Sequence, residues 1–273
     1  MEKAYWGGED ADTVIADNGD NVIFDYGGND WIDTRAGADR TFAGAGNDRV
    51  IGGAGSDQVY GEGGNDRLSG DDGRSNPRIV GEDNDYLSGG DGHDVLYVGD
   101  GKDWLRGGEG SDTYVFQFHN PTPGLHNPVI GDYPDRPQGP DVSLILDFDP
   151  AHDTFAFDAA GLYNDGFGAN FINNASVQSG YPVDSFYSGK ASGADGEHVV
   201  VITDRSFANG SAAAIAISSE RAGDIIVYHN SETNTADLAY VTSANHVDVF
   251  AHLLHSESDL ANMHLTASNF TFV

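Results

Sequence analysis

The sequence predicts an all-β protein, a right-handed parallel β-roll followed by a β-rich C-terminal capping unit. Three observations carry the prediction. A nine-residue repeat runs through the first ~115 residues. One apolar residue returns at the same place in each repeat. Beyond the repeats, short β-branched and aromatic runs alternate with Gly, Asn and Asp turns.

Set out in nines from Gly7, the chain reads GGEDADTVI, ADNGDNVIF, DYGGNDWID, TRAGADRTF, AGAGNDRVI, GGAGSDQVY and GEGGNDRLS. After a disturbed stretch at 70–79 it resumes as VGEDNDYLS, GGDGHDVLY, VGDGKDWLR and GGEGSDTYV. Within a nonad the first six positions are Gly-rich and polar. The last three form a short strand with one residue pointing inward. Those inward residues are Val14, Ile23, Ile32, Thr41, Val50, Val59, Leu68, Leu87, Leu96, Leu105 and Tyr114. Two nonads make one 18-residue coil with a turn on each side, and coils stack about 4.8 Å apart. A flexible acidic linker would have no reason to keep an apolar phase of nine.

The sixth position carries the chemistry. It is Asp12, Asp30, Asp39, Asp48, Asp57, Asp66, Asp85, Asp94, Asp103 or Asp112, with Asn21 as a substitute. Counted in nines, these residues form two columns. The first holds Asp12, Asp30, Asp48, Asp66, Asp85 and Asp103; the second holds Asn21, Asp39, Asp57, Asp94 and Asp112. Carboxylates stacked this closely repel unless a cation lies between them. Ca²⁺ fits, because it accepts six to eight hard oxygen ligands in flexible geometry, backbone carbonyls included; Mg²⁺ requires tighter octahedral geometry. The fourth-position glycines Gly28, Gly46, Gly55, Gly64, Gly92, Gly101 and Gly110 reach φ > 0 and bring their carbonyls towards the ion. Adjacent pairs number about five in the first column and about three in the second, an expectation of about eight Ca²⁺ ions. The stretch from Gly70 to Ile79 puts Ser75 at the ligand place and Pro77 at the inward place. It is expected to bulge and to cost the second column one or two sites.

Charge agrees with cation binding. The chain has 44 acidic and 13 basic residues, a formal net charge of −31. Nucleic acid and anionic membrane would be repelled. Its 14 Phe, 12 Tyr and 3 Trp argue against disorder. Without cysteine there are no disulfides, thiolate metal sites or Cys nucleophiles. No apolar run reaches the ~18 residues of a transmembrane span, and residues 1–5 do not read as a secretory signal. Export, if it occurs, must use a route that does not read the N-terminus.

The second half changes character. Residues 119–141 hold six of the nine prolines and read as an exposed loop. Strands are expected at Val142–Phe148, Thr154–Phe157, His198–Thr203, Ala212–Ser218, Asp224–His229 and Leu238–Thr242, with Val247–His255 either strand or short helix. The domains are therefore a roll over 7–118, a Pro-rich loop over 119–141 and a β-rich cap over 142–273. A solenoid end needs a cap because it exposes apolar side chains and unpaired edges.

The nonads resemble the repeats of the RTX (repeats-in-toxin) calcium-binding family. Leu144-Ile-Leu-Asp-Phe148 with Asp153-Thr-Phe-Ala-Phe157 resembles the segment that follows such repeats in type I-secreted exoproteins. Val249-Phe-Ala-His-Leu253 and the end Leu265–Val273 are similar to the C-terminal element of that family. The resemblance implies a secreted, extracellular bacterial protein exported by a type I apparatus that reads an uncleaved C-terminus.

No catalytic signature accompanies the repeats. There is no HExxH, G-x-S-x-G, P-loop or dinucleotide fingerprint; Ser192 in Gly189–Gly193 lacks the elbow spacing. His252 and His255 are three apart without an intervening glutamate, and they read as surface or partly packed residues. The six residues before Gly7 leave no room for an N-terminal catalytic domain, and the chain is not expected to be an enzyme itself. Three roles use the same physics. The chain is the calcium-folded secretion module of a larger exoprotein, a stand-alone secreted calcium-binding protein, or an adhesion, surface-layer or polysaccharide-binding module facing a host surface. In the third, Tyr163, Phe167, Tyr181, Phe186 and Tyr187 are the aromatics to examine; ordinary core packing is the simpler account of them.

Overall fold

The computed structural model describes residues 2–71, 84–99, 101–116, 142–157, 185–221, 223–243, 245–253 and 260–272. The Pro-rich segment 119–141, Ser75, Pro77, Tyr163, Phe167, Tyr181 and His255 lie outside them. The chain divides into two compact units, Met1–Val115 and Phe116–Val273.

The first unit is a parallel β-roll. Its strands are β1 (Lys3–Trp6), β2 (Thr13–Ile15), β3 (Asn21–Phe24), β4 (Trp31–Asp33), β5 (Arg40–Phe42) and β6 (Arg49–Ile51). They continue as β7 (Gln58–Gly63), β8 (Arg67–Ser69), β9 (Tyr86–Gly92), β10 (Val95–Val98), β11 (Trp104–Gly110) and β12 (Thr113–Phe116). Odd-numbered strands run β1-β3-β5-β7-β9-β11 in one sheet, and even-numbered strands run β2-β4-β6-β8-β10-β12 in the other. Each pairing is parallel because each strand meets its counterpart one full coil later. All eleven expected inward residues are buried, from Val14 at 9% exposed to Ile23, Ile32, Leu68, Leu96, Leu105 and Tyr114 at 0%. The strand phase read from the repeat is therefore the one adopted.

One coil departs from the period. β7 pairs with β9, matching Val59 to Leu87, and β8 pairs with β10, matching Leu68 to Leu96. Both steps cover 28 residues. Counting in nines places a half-coil between Ser69 and Tyr86; the ladders instead pair β7 directly with β9 and β8 with β10. A half-coil there would put Pro77 at an inward place, where it has no N–H for the ladder. The sheets instead pair the strands that flank the stretch.

On the outward side of the odd-numbered sheet, the same period stacks Trp6, Phe24, Phe42 and Tyr60. Ring centroids are 4.7, 5.2 and 5.1 Å apart, close to the interstrand spacing.

The second unit holds β13 (Ser143–Ile145), β14 (Thr154–Phe157), β15 (Phe186–Gly189), β16 (Val199–Phe207), α1 (Gly210–Ala216), β17 (Ile225–Asn230), β18 (Thr235–Ser243), β19 (His246–Leu253), α2 (Leu260–Met263) and β20 (Phe270–Phe272). One sheet is ordered β13-β19-β18-β17-β16-β15, and β14 pairs with β20. β17, β18 and β19 form an antiparallel meander, while β15–β16 and β16–β17 are parallel. Val200, Ile202, Ile226, Tyr228, Ala239 and Val241 pack with Ala213 and Ala214 of α1. Elsewhere in the unit, Phe148 stacks on Phe155 at 4.1 Å and Phe155 meets Phe270 at 5.6 Å.

α1 corrects the strand expected at Ala212–Ser218. Asn209 caps it, its side chain accepting from the Ala212 N–H at 2.9 Å. Gly210, Ala213 and Ala214 are buried at helical spacing, and Ile215 is left 67% exposed. An alanine-rich run behind a good cap favours helix over the β preference of two isoleucines.

Candidate metal centre

The turns of the roll bring the sixth-position residues together in two columns, and the 28-residue coil decides their membership. The Asp12 N–H donates to Asp30 Oδ1 at 2.7 Å, and the same bond links Asp30 to Asp48, Asp48 to Asp66, Asp66 to Asp94 and Asp94 to Asp112. In the other column the chain of bonds runs Asn21, Asp39, Asp57, Asp85, Asp103. This corrects the columns counted in nines. Beyond the long coil, Asp94 and Asp112 belong with Asp12, and Asp85 and Asp103 belong with Asn21.

Apart from the half-buried Asp12, every one of these residues is at most 4% exposed. One carboxylate oxygen of each Asp from the second coil onward thus accepts from the coil before. The other points elsewhere. In Asp30, Asp39, Asp48, Asp66 and Asp94, Oδ2 is buried with no hydrogen-bond partner, and so is Oδ1 of Asn21. A buried carboxylate oxygen without a donor is costly unless a cation satisfies it. Burial pushes these carboxyls up: Asp66 to about 7, Asp48 and Asp94 to about 6, and Asp30 and Asp39 in the same direction.

Backbone oxygens converge on the same turns. The predicted glycines Gly28, Gly46, Gly55, Gly64, Gly92, Gly101 and Gly110 all have positive φ, between 104° and 150°. At Gly46 (φ 142°) a Cβ would lie 1.3 Å from the Gly28 carbonyl oxygen, so only glycine allows this approach. The same stacking places Gly92 against the Gly64 oxygen, across the long coil. Gly19 and Gly37 belong to this set as well and were missed in the sequence. At Gly61, a first position, a side chain is excluded for a different reason: a Cβ there would lie 2.2 Å from Asp66 Oδ2. The donor set of paired carboxylates and stacked carbonyls, all hard oxygen, fits Ca²⁺.

Two further features were not read from the sequence. Fifth-position side chains form an outer ladder: Asn29 Oδ1 accepts from Asn47 N, Asn47 Oδ1 from Asn65 N, and Asn65 Oδ1 from His93 N. The recurrent Asn after the glycine was the available signal. Asp25 is the second. It occupies a first position, 4% exposed, and its carboxylate oxygens lie within 4.8 Å of those of Asp12 and Asp30. Burial, then the neighbouring Asp30 charge, pushes it to about 6.

Outside the roll, no comparable metal-ligating cluster occurs among the described residues. His252 is engaged by Asp237, Nδ1 to Oδ1 at 2.5 Å, in a buried network that also includes Tyr228, Asn230 and Thr235. Burial alone would raise the Asp237 carboxyl, but the bonds from His252, Asn230 and Thr235 outweigh it and hold the carboxyl below its usual range. Phe186 packs on Phe270 at 5.8 Å, and Tyr187 packs against the α1 core and donates to the Lys190 carbonyl at 2.9 Å. Both are partly buried and packed against neighbouring side chains. No helix among the described residues is long and apolar enough to cross a membrane.

Fold and turns together define a calcium-binding parallel β-roll. Its repeats match the RTX calcium-binding nonapeptide repeat over residues 6–40, 42–75 and 79–114, which makes the chain similar to proteins that carry RTX repeats. Such proteins are generally secreted. The chain is also similar to nodulation protein O of Rhizobium leguminosarum bv. viciae, 46% identical over 173 residues. That match covers 59% of this chain and 56% of the relative, so the chain spans little more than half of the relative's length.

Proposed function

We propose that the roll is a calcium-triggered folding module of a secreted protein, kept unfolded in the cytosol and folded outside the cell. The observation that carries this is the row of buried, partnerless Oδ2 atoms in Asp30, Asp39, Asp48, Asp66 and Asp94. Without an ion, these carboxylates repel and remain unsatisfied, so the compact roll is disfavoured. At sub-micromolar Ca²⁺ the glycine-rich chain stays open and suited to export through a type I apparatus reading its C-terminus. At millimolar Ca²⁺ each site contributes about 1.4 kcal/mol when calcium is tenfold above its Kd. Several such sites reach the ~5–15 kcal/mol that stabilises an ordinary domain.

The hydrogen-bonded columns leave five gaps in one turn and four in the other. Nine ions would fill them, one more than counting in nines suggested. Amide hydrogen exchange tests the module: strand amides of the roll should gain protection on adding Ca²⁺ to the metal-free chain. Equal protection with and without calcium would reject it.

The 46% match supports a second reading, in which the chain acts in nodulation as a calcium-binding protein in its own right. Expressing it in Rhizobium leguminosarum lacking nodulation protein O should then restore nodulation to the extent that the native protein does. Failure to restore it, with the chain secreted, rejects that reading.

A further inference from the structure

The first-position places that begin the turns of the Asp12 column are Gly7, Asp25, Ala43, Gly61, Gly89 and Gly107. Five are small, as the nearby carboxylate requires. Asp25 is the exception, and its side chain takes the space over Gly7: a Cβ there would lie 2.2–2.3 Å from the Asp25 carboxylate. The substitution does not disturb the ladder, since Asp25 N still donates to the Phe42 carbonyl at 2.8 Å. Its Oδ1 accepts from Tyr26 N at 3.0 Å, and its Oδ2 is buried with no hydrogen-bond partner. Asp30 Oδ2 is in the same condition. Asp12 holds Oδ2 on the Gly8 N–H at 2.6 Å.

The three carboxylates offer oxygens within 4.8 Å of one another. Two oxygens on opposite sides of a Ca²⁺ ion, each ~2.4 Å from it, are about 4.8 Å apart. The other gaps of the column are bounded by two sixth-position carboxylates. Affinity of an oxygen site rises with the number of charged ligands, and a third carboxylate favours calcium over water-retaining Mg²⁺.

We propose that Asp25 makes the gap between Asp12 and Asp30 a three-carboxylate cation site, tighter than the remaining gaps and filled ahead of them. This rests on the columns holding calcium. The first coils then order at calcium levels too low to load the rest of the roll.

The test is calorimetric titration of the metal-free full chain with Ca²⁺ alone. Asp25→Gly, which restores the repeat residue, and the isosteric Asp25→Asn are compared with Asp94→Asn at a two-carboxylate gap. The native chain should show one ion bound at least tenfold more tightly than the others. Both Asp25 variants should lose that class and keep the weaker, cooperative sites; Asp94→Asn should keep the tight class. Superimposable isotherms for the native chain and both Asp25 variants would overturn the proposal while leaving the calcium columns standing. Absence of calcium binding in the native chain would overturn the columns and the proposal together.

Discussion

Asp85 follows Asp57 by 28 residues in the chain yet stacks one coil above it, its Oδ1 accepting the Asp57 N–H at 2.8 Å. Asn84 and Ser56 repeat the relationship on the outside of the turn, Asn84 N donating to Ser56 Oγ at 3.1 Å. This register is directly testable because the chain has no cysteine. Stacked residues of neighbouring coils lie within the ~4.4–6.8 Å Cα range of a disulfide. The double variant Ser56→Cys, Asn84→Cys should oxidise readily in calcium and be found cross-linked by mass spectrometry. Asn65→Cys with Asn84→Cys should not, since Asn65 stacks with His93. The opposite result would restore the columns counted in nines.

Gly61 and Gly63 are two residues apart and differ in what surrounds them. A Cβ on Gly61 meets Asp66 Oδ2 at 2.2 Å and the Gly89 carbonyl at 2.7 Å; on Gly63 it meets nothing within 4 Å. Gly61→Ala should cost about 1–3 kcal/mol and raise the calcium midpoint of folding. Gly63→Ala should be neutral or stabilise by up to ~1 kcal/mol by restricting the unfolded chain. Calcium-saturated thermal unfolding of the two variants checks this pair.

Acid should substitute in part for calcium. Asp66 titrates near 7 and Asp48 and Asp94 near 6 in the folded roll, above the ordinary carboxyl value of 3.8. A raised folded pKa means that the roll binds protons more tightly than the unfolded chain. That stability is fully present below about 4 and is lost as pH rises through 6–7. All three tryptophans, Trp6, Trp31 and Trp104, lie in the roll, so their emission follows it alone. Metal-free protein should show folded emission near pH 4.5 and unfolded emission at pH 8. With saturating Ca²⁺ the trend reverses, because the ion needs ionised carboxylates. Equal emission at both pH values without metal would contradict this.

In the second unit, Asp237 is fully buried and accepts from Tyr228, Asn230, Thr235 and His252. Asp237→Ala strands these donors and should lower the stability of that unit by about 2–4 kcal/mol, read by denaturant unfolding in calcium. A loss under 0.5 kcal/mol would show the network to be incidental.

The inward row of the roll was legible because one residue class recurs every nine positions, and burial follows that phase from Val14 to Tyr114. The ligand residues were legible for the same reason. Column membership after Asp66 was not, because a period says nothing about whether an interrupting stretch is wound into the roll or left out of it. Pairing between strands 28 residues apart decides that, and the β7–β9 and β8–β10 ladders reveal it. Asp25 was hidden by falling at a place read as a turn residue; its significance comes from Asp12 and Asp30, in two different coils. α1 was missed because Ile215 and Ile217 suggested a strand, whereas the Asn209 cap acts over three residues and leaves no apolar periodicity to read.

The central claim is that calcium makes the roll fold. Far-UV circular dichroism of the metal-free chain during a Ca²⁺ titration, with Mg²⁺ as control, tests it most directly. A cooperative gain of β signal between about 0.1 and 1 mM Ca²⁺, absent with Mg²⁺, is the predicted result. A spectrum already β-rich in chelator at pH 8 and unchanged by calcium would contradict it.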